Sequence, residues 1–364
     1  MSGPIKTVGI FSVAMAIIGT TIGAGYASGQ ELMQYFGDFG EMAVPGLVVS
    51  GIGFFLYGIL GMLTARRMNC GVYSEVMSPR KNIYVAIGID VALVLILYGT
   101  LTIMVAGSGA LFEAQFGTST YVGALVMIVV TLVSSWWGTR SIVAAMNTAV
   151  PILVVGAIIV ACVVIINPQV DPELSKTIRR EPNPALVNWF VAGINYVTFN
   201  MLAVVCVIIP LGLKLKSKTQ VFTSSAFAAL ALVVMAGLLV FGIAANYAVV
   251  HTEALPMLAL AKGIAPAVGY LYAIFMFAAI FSTAIGVMLA LLERFKSFKI
   301  YKPHYERPAA IAMMVATLPM SKVGFITLVG TVYPFYGYVS IAIVLFMLYN
   351  YFYYAPGRNR ARDA

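Results

Sequence analysis

Residues 17–31 read Ile17-Ile18-Gly19-Thr20-Thr21-Ile22-Gly23-Ala24-Gly25-Tyr26-Ala27-Ser28-Gly29-Gln30-Glu31, with four glycines and several hydroxyls inside an apolar run that extends from about residue 5 to 36. A run of that length matches the hydrocarbon core of a bilayer at about 1.5 Å of rise per helical residue. Glycines at this depth admit two readings. Gly19/Gly23 and Gly25/Gly29 are GxxxG pairs, the spacing by which helices approach closely in lipid. The same glycines let a helix unwind, leaving free carbonyls at the end of its first half and free N–H groups at the start of its second. Such ends attract a cation and an anionic group respectively.

The rest of the chain is equally suited to lipid. Of its 364 residues 61% are hydrophobic and 10% charged, and the mean hydropathy is +0.96, whereas a soluble domain is about half apolar and about a quarter charged. The apolar runs are too long and too continuous for the alternating strands of a barrel, so helices are the remaining way to pair every backbone group. The expected spans are 5–36, 43–65, 83–111, 120–138, 141–166, 185–212, 220–250, 265–291, 308–320 and 325–352. An even number of spans puts both termini on one side.

The net charge of +9 raises the question of a nucleic-acid partner, and its distribution argues against one. Lys6, Arg66, Arg67, Arg80, Lys81, Arg140, Lys214, Lys216, Lys218, Arg294, Lys296, Lys299, Lys302, Arg307, Arg358, Arg360 and Arg362 fall on one side of the expected spans. Lys176, Arg179, Arg180, Lys262 and Lys322 fall on the other. Seventeen against five is a positive-inside signal, so the first side, with both termini, is expected in the cytoplasm of a multi-pass cell-membrane protein. The excess charge then reports topology, and no nucleic acid is expected.

The first apolar stretch continues into Tyr26 and Glu31 without a small-residue cleavage site, so no cleaved signal peptide is expected. Cys70 lies in a cytoplasmic loop while Cys162 and Cys206 lie within spans. No pair shares an oxidising aqueous compartment, and no structural disulfide is expected.

Enzyme signatures are missing. His251 and His304 fall in loops on opposite sides of the membrane, and no HExxH, GxSxG or phosphate loop occurs. Gly23 to Gly29 superficially matches a dinucleotide fingerprint, but its spacing is one residue too long and it follows a membrane helix. Neither an enzyme nor a cofactor is expected.

Gly19, Ile22, Gly23 and Gly25 fit, without a gap, the Gly-x-x-(Ile/Val)-Gly-x-Gly signature in the first helix of LeuT-fold transporters of the amino acid–polyamine–organocation superfamily. The chain as a whole resembles the bacterial YkvI-like membrane proteins, which are grouped with amino acid permeases. The resemblance implies two inverted five-helix repeats, 1–166 and 185–354, joined by an extracellular linker at 167–184 and followed by a cytoplasmic tail at 355–364. It also implies breaks in spans one and six. On span one, Gly23, Ala24, Gly25 and Tyr26 would then face the substrate.

Span eight contains Ala279-Ile280-Phe281-Ser282-Thr283. In sodium-coupled members of that fold, Ala-x-x-(Ser/Thr)-(Ser/Thr) here supplies one carbonyl and two hydroxyls to a sodium ion, which implies a set of Gly19, Ile22, Ala279, Ser282 and Thr283. Neutral oxygens suit a hard monovalent cation. The alternative is that Ser282 and Thr283 bond to carbonyls one turn back, a common habit in membrane helices.

Span six reads Gly193-Ile194-Asn195-Tyr196-Val197-Thr198-Phe199-Asn200-Met201. Polar side chains in mid-span are costly unless they face a cavity or a neighbouring helix. Their position makes Asn195, Tyr196, Thr198, Phe199 and Asn200 substrate-binding candidates at the expected second break. Span ten carries its own interruption at 330–337, either a gate or a proline kink at Pro334. The tyrosines between Tyr333 and Tyr354 read as packing and interfacial belts.

Three residues stand apart. Tyr98 is near the middle of span three, where a tyrosine of the resembled fold contacts the substrate carboxylate; an ordinary packed aromatic is the alternative. Asp90 lies about 12 Å into the same span by helical rise, where an ionisable residue is either paired or functional. Glu31, in the outer half of span one, is a candidate to bind a cationic substrate group or to gate the outer side; a solvated vestibule carboxylate is the alternative. Residues 255–262 are a candidate lid. Together these point to a secondary transporter that moves a small amino acid, zwitterion or amine with sodium by alternating access. Proton-coupled or uncoupled exchange, and a receptor that binds without transporting, are the alternatives. No lysine occurs from Ser141 to Ile166, the span on which proton-coupled relatives carry one in place of sodium.

Overall fold

The computed structural model describes residues 8–79, 82–136, 140–296 and 302–354, with the side chains of residues 140–150 and 303 outside the description. Lys6, Arg80, Lys81, Lys299, Arg358, Arg360 and Arg362, the Arg140 side chain and the tail 355–364 therefore lie outside the described residues.

Span one is divided. Helix α1 (Ile10–Thr21) stops at Ile22 and Gly23, which are extended with ψ of 103° and −169°. Helix α2 (Ala24–Ser28) follows, and Gly29 at φ +81° joins it to α3 (Gln30–Tyr35). That left-handed φ disfavours any side chain, and a Cβ at Gly29 would also meet Met257 Cγ at 2.8 Å. Unwinding comes three residues later than Gly19. The Thr20 and Thr21 hydroxyls donate to the Ala16 and Ile17 carbonyls at 2.7 and 2.9 Å, and the last turn of α1 stays helical.

The chain then forms α4 (Ala43–Met68), a short α5 (Tyr73–Met77), α6 (Ile83–Phe116), α7 (Thr120–Trp136) and α8 (Arg140–Ile166). In the linker, Asp171 caps α9 (Pro172–Thr177), with proline at its first position where a missing N–H costs nothing. The second half comprises α10 (Trp189–Lys214), α11 (Lys218–Ala245), α12 (Tyr247–Val250), α13 (Pro256–Ile264), α14 (Pro266–Lys296), α15 (Glu306–Ser321) and α16 (Phe325–Tyr353). Each of the ten expected spans coincides with a helix or, for spans one and seven, with α1 to α3 and with α11 and α12. Among the described residues six helical stretches are long and apolar enough to cross a membrane: Gly37–Met68, Ile83–Phe116, Trp189–Lys214, Lys218–Ala245, Pro266–Lys296 and Phe325–Tyr353. Ile10–Thr21, Thr120–Trp136 and Pro151–Ile166 are shorter apolar helices.

Two groups of helices make the body. One is α1, α4, α10 and α11; the other is α6, α7, α14 and α15, with α8 and α16 touching both. Small residues bring α4 and α10 together. A Cβ on Gly193 would meet the Gly46 carbonyl at 2.8 Å, and Ser50 Oγ bonds to both the Gly46 and Gly193 carbonyls. Close approach of this kind replaces the hydrophobic drive that lipid does not provide. Leu56, Ile87, Leu95 and Ile274 point outward while Asn195, Thr198 and Asn246 are buried, as lipid on the outside requires.

The expected break in span six does not occur: α10 is one helix from Trp189 to Lys214. Its polar residues instead serve α16, which is also continuous despite Pro334. Proline lacks the N–H that would bond four residues back, so the Gly330 carbonyl is left open, and Asn183 Nδ2 donates to it at 2.6 Å. Asn195 Nδ2 donates to the Pro334 carbonyl at 2.9 Å, Thr198 Oγ1 to Gly337 at 2.9 Å, and Tyr35 Oη to Asn195 Oδ1 at 3.0 Å. Asn195→Ala is expected to destabilise the protein by about 1–3 kcal/mol for each group it orphans. Unfolding in detergent measures this. Tyr35→Phe added to that variant should cost little more, because the hydroxyl has already lost its partner; full additivity would contradict the network.

Candidate functional site

The break in span one frees backbone on both sides. The α1 ladder ends with Ile22 N–H on the Ile18 carbonyl at 2.9 Å, and the next bond is Ala27 N–H on Gly23 at 3.1 Å. Carbonyls 19–22 and N–H groups 23–26 therefore have no ladder partners across the gap. A Cβ built on Gly19 or Gly23 meets nothing within 4 Å. These two glycines are not packing contacts, which removes the helix-packing reading of their spacing.

A cavity of about 420 Å3 lies against the break. Thr20, Thr21, Gly23, Ala24 and Gly25 form one wall, Phe199, Asn200 and Tyr333 another, and Leu93, Leu97 and Met104 an apolar side. The lining extends to Tyr73 and Arg294 at the end of the bundle that carries Arg66, Lys214 and Lys296, here called the basic end. Arg294 bonds to the Tyr73 hydroxyl and forms an ion pair with Asp90 at 2.8 Å. Asp90 thus has its partner 204 residues away, on the last turn of α14.

Glu31 enters this cavity from α3, with only 4% of its surface exposed. Its Oε2 lies against Gly25, so close that a Cβ there would sit 2.7 Å from it and 3.4 Å from the Tyr333 hydroxyl. Gly25 is a glycine so that this carboxylate can fold back onto the broken segment. Oε1 has no hydrogen-bond partner within normal distance. The Asn200 amide and the Tyr196 hydroxyl lie beside the group.

On the far side of Glu31 the way is closed by aromatic rings. Phe199 and Tyr333 stack at 4.7 Å, and Tyr35 stacks on Phe199 at 5.5 Å. Beyond them is a second cavity of about 630 Å3, lined by Gln30, Gln34, Asp38, Asn183, Tyr247 and His251 among others. The consecutive residues Gln30 and Glu31 therefore line opposite cavities. Both amide atoms of Gln30 are buried without partners. Of residues 255–262, all but Leu255 belong to α13, whose Met257, Leu258 and Leu260 are buried; the helix packs on α2 and α3.

Of the sequence candidates, Gly23, Ala24, Gly25, Phe199, Asn200, Thr283 and Glu31 are brought to the cavity. Tyr26 bonds to the Leu232 carbonyl at 3.1 Å, and Asn195 and Thr198 bond to α16. These three do not line the cavity. Tyr98 packs elsewhere, its hydroxyl 3.5 Å from the Met313 carbonyl. Thr283 Oγ1 donates to the Ala279 carbonyl at 3.1 Å, the bond one turn back that was the alternative to an ion ligand. Gly19, Ile22, Ala279 and Ser282 are not in the lining. Among the described residues no three His, Cys, Asp or Glu side chains cluster as a metal site. Sequence reasoning missed Tyr333 and Arg294. The first looked like one of a belt of tyrosines, and the second like one more topological charge.

No protein-family model matches the chain. The uncharacterized membrane protein YkvI of Bacillus subtilis (strain 168) is 27% identical over 334 residues, covering 91% of this chain and 93% of that protein. Among solved structures, Mhp1 in an inward-facing conformation matches 95% of this chain and 77% of its own, with a TM-score of 0.65 and 16% identity. MhsT, crystallised with L-phenylalanine, matches 96% of this chain and 89% of its own, with a TM-score of 0.58 and 14% identity. The chain is homologous to YkvI over most of its length, and its all-α, multi-span architecture is the LeuT-type fold that these solved proteins share.

Proposed function

We propose that this protein is a secondary transporter that takes up a small amino acid, or a related zwitterion or amine, with sodium as coupling ion. One observation carries the reading: free N–H groups of a broken membrane helix and a carboxylate with no cationic partner among the described residues face the same cavity. An α-amino acid presents a carboxylate to the first and an ammonium to the second. The apolar wall of Leu93, Leu97, Met104 and Phe199 accepts an apolar side chain.

With the basic end in the cytoplasm, the cavity faces inward and the vestibule with His251 faces outward. The repeats 1–166 and 185–354 would alternate access around the break. Sodium is assigned to the freed carbonyls of Gly19 and Ile22 with Ala279, Ser282 and Thr283. Its support is that α2 packs on α14 and that Thr283 shares a cavity with the break.

The test is a thermal-shift series on purified protein with the twenty L-amino acids, their amines and betaines, each in sodium chloride and in choline chloride. Binding only the folded state, a ligand at about 100 times its Kd adds about 2.7 kcal/mol. At least one amine-bearing compound is expected to stabilise, and more strongly in sodium. Counterflow of that compound in proteoliposomes should follow; binding without counterflow makes the protein a receptor.

A further inference from the structure

Among the described residues, no cationic group faces Glu31 to balance it. Facing it are Tyr26 on α2, Tyr35 on α3, Tyr196 on α10 and Tyr333 on α16, with the Asn200 amide alongside. All of these are neutral. Arg294, the basic residue in the lining, sits at the basic end with Asp90 as its partner. An isolated carboxylate enclosed at membrane depth costs several kcal/mol, and the penalty is greatest when both cavities are shut and water is excluded. A carrier must pass through such a closed state twice per cycle, once loaded and once empty. Loaded, the substrate's ammonium neutralises the carboxylate. Empty, something else must.

Resting on the substrate reading above, we propose that Glu31 holds a proton whenever it does not hold the substrate's ammonium group, and that the protein exchanges substrate for a proton. At the outer side the protonated carboxyl gives its proton to water as the ammonium binds, leaving a carboxylate–ammonium pair. At the inner side the ammonium leaves and a proton from the cytoplasm replaces it. One ammonium group moves inward and one proton outward. The oxygens assigned to sodium share no atom with Glu31, so the two ions occupy separate ligands and are linked only through the substrate. In sodium, a zwitterion would then move with one positive charge entering and one leaving.

The experiment uses the amino acid that stabilises the full-length protein most among the twenty. Added to wild-type protein in unbuffered detergent with a pH dye, it should release close to one proton per ligand bound. Because ammonium and proton compete for one carboxylate, affinity should fall by about tenfold per pH unit on the acid side. Glu31→Gln, which is neutral at every pH, should bind at least about tenfold more weakly, with no pH dependence and no proton release. In proteoliposomes loaded with a fluorescent pH indicator, external substrate should make the lumen more alkaline, whichever way the protein is inserted. Net uptake into substrate-free vesicles with no pH change, or with luminal acidification, overturns the proton exchange and leaves the transporter reading standing. Absence of binding by all twenty overturns both. If Glu31→Gln does not fold, the wild-type release and its pH slope decide alone.

Discussion

Gly23→Leu is expected to abolish substrate binding, a loss of more than about 100-fold, while the protein remains inserted and monodisperse. A Cβ at Gly23 meets nothing within 4 Å, so the folded chain accommodates the branch, and the volume it fills is the cavity beside the free N–H groups. Those groups can bind an anion only if it reaches van der Waals distance of the backbone. Gly25→Leu is a different experiment. Its side chain would collide with Glu31 Oε2 at 2.7 Å and approach the Tyr333 hydroxyl, so both binding and stability should fall. Titration of the strongest stabilising amino acid, with size-exclusion profiles of each variant, separates the two. Normal affinity in Gly23→Leu would show that the break plays no part in recognition.

Ser282→Ala with Thr283→Ala is expected to remove the sodium dependence of substrate affinity and to spare folding, since alanine favours helix. The Thr283 hydroxyl donates its proton to the Ala279 carbonyl, which leaves its lone pairs available to a cation approaching from the break. Sodium there would favour one state of the carrier, and the factor by which it tightens substrate must equal the factor by which substrate tightens sodium. Affinity measured in sodium chloride and in choline chloride, for wild type and the double variant, tests this. Equal wild-type affinity in the two salts would end the sodium reading and leave proton exchange at Glu31 as the coupling.

The membrane architecture is legible from continuous apolar runs, and the glycines of span one narrow the choice there to close helix packing or a break, which the open space at Gly19 and Gly23 decides. Local signals go that far because the cause and the effect lie within fifteen residues. Span six is different. Asn195 and Thr198 look like the polar residues of a second break, yet they bond to carbonyls of α16, 139 residues distant, that a proline and its neighbours expose. A polar side chain in a membrane span announces that it has a partner; whether that partner is ligand or protein depends on which helix lies opposite. The same holds for Asp90, whose pairing with Arg294 spans two helices whose contact no periodicity reveals. Gly25 is legible as a small residue, but its reason, the carboxylate of Glu31 folded against it, needs the turn at Gly29.

Gln30 and Glu31 separate two cavities with little more than one turn of helix and a layer of rings. With the two cavities open to opposite sides, as the proposed function has them, water in each carries the potential of its own side, and the membrane voltage falls largely across this partition instead of being spread over about 30 Å of hydrocarbon. One elementary charge crossing the full potential gains or loses about 2.3 kcal/mol per 100 mV. A charge carried the short distance past the Phe199–Tyr333 stack would then be exposed to nearly the whole of that drop, and the electric field would do its work on this protein at the second half of span one.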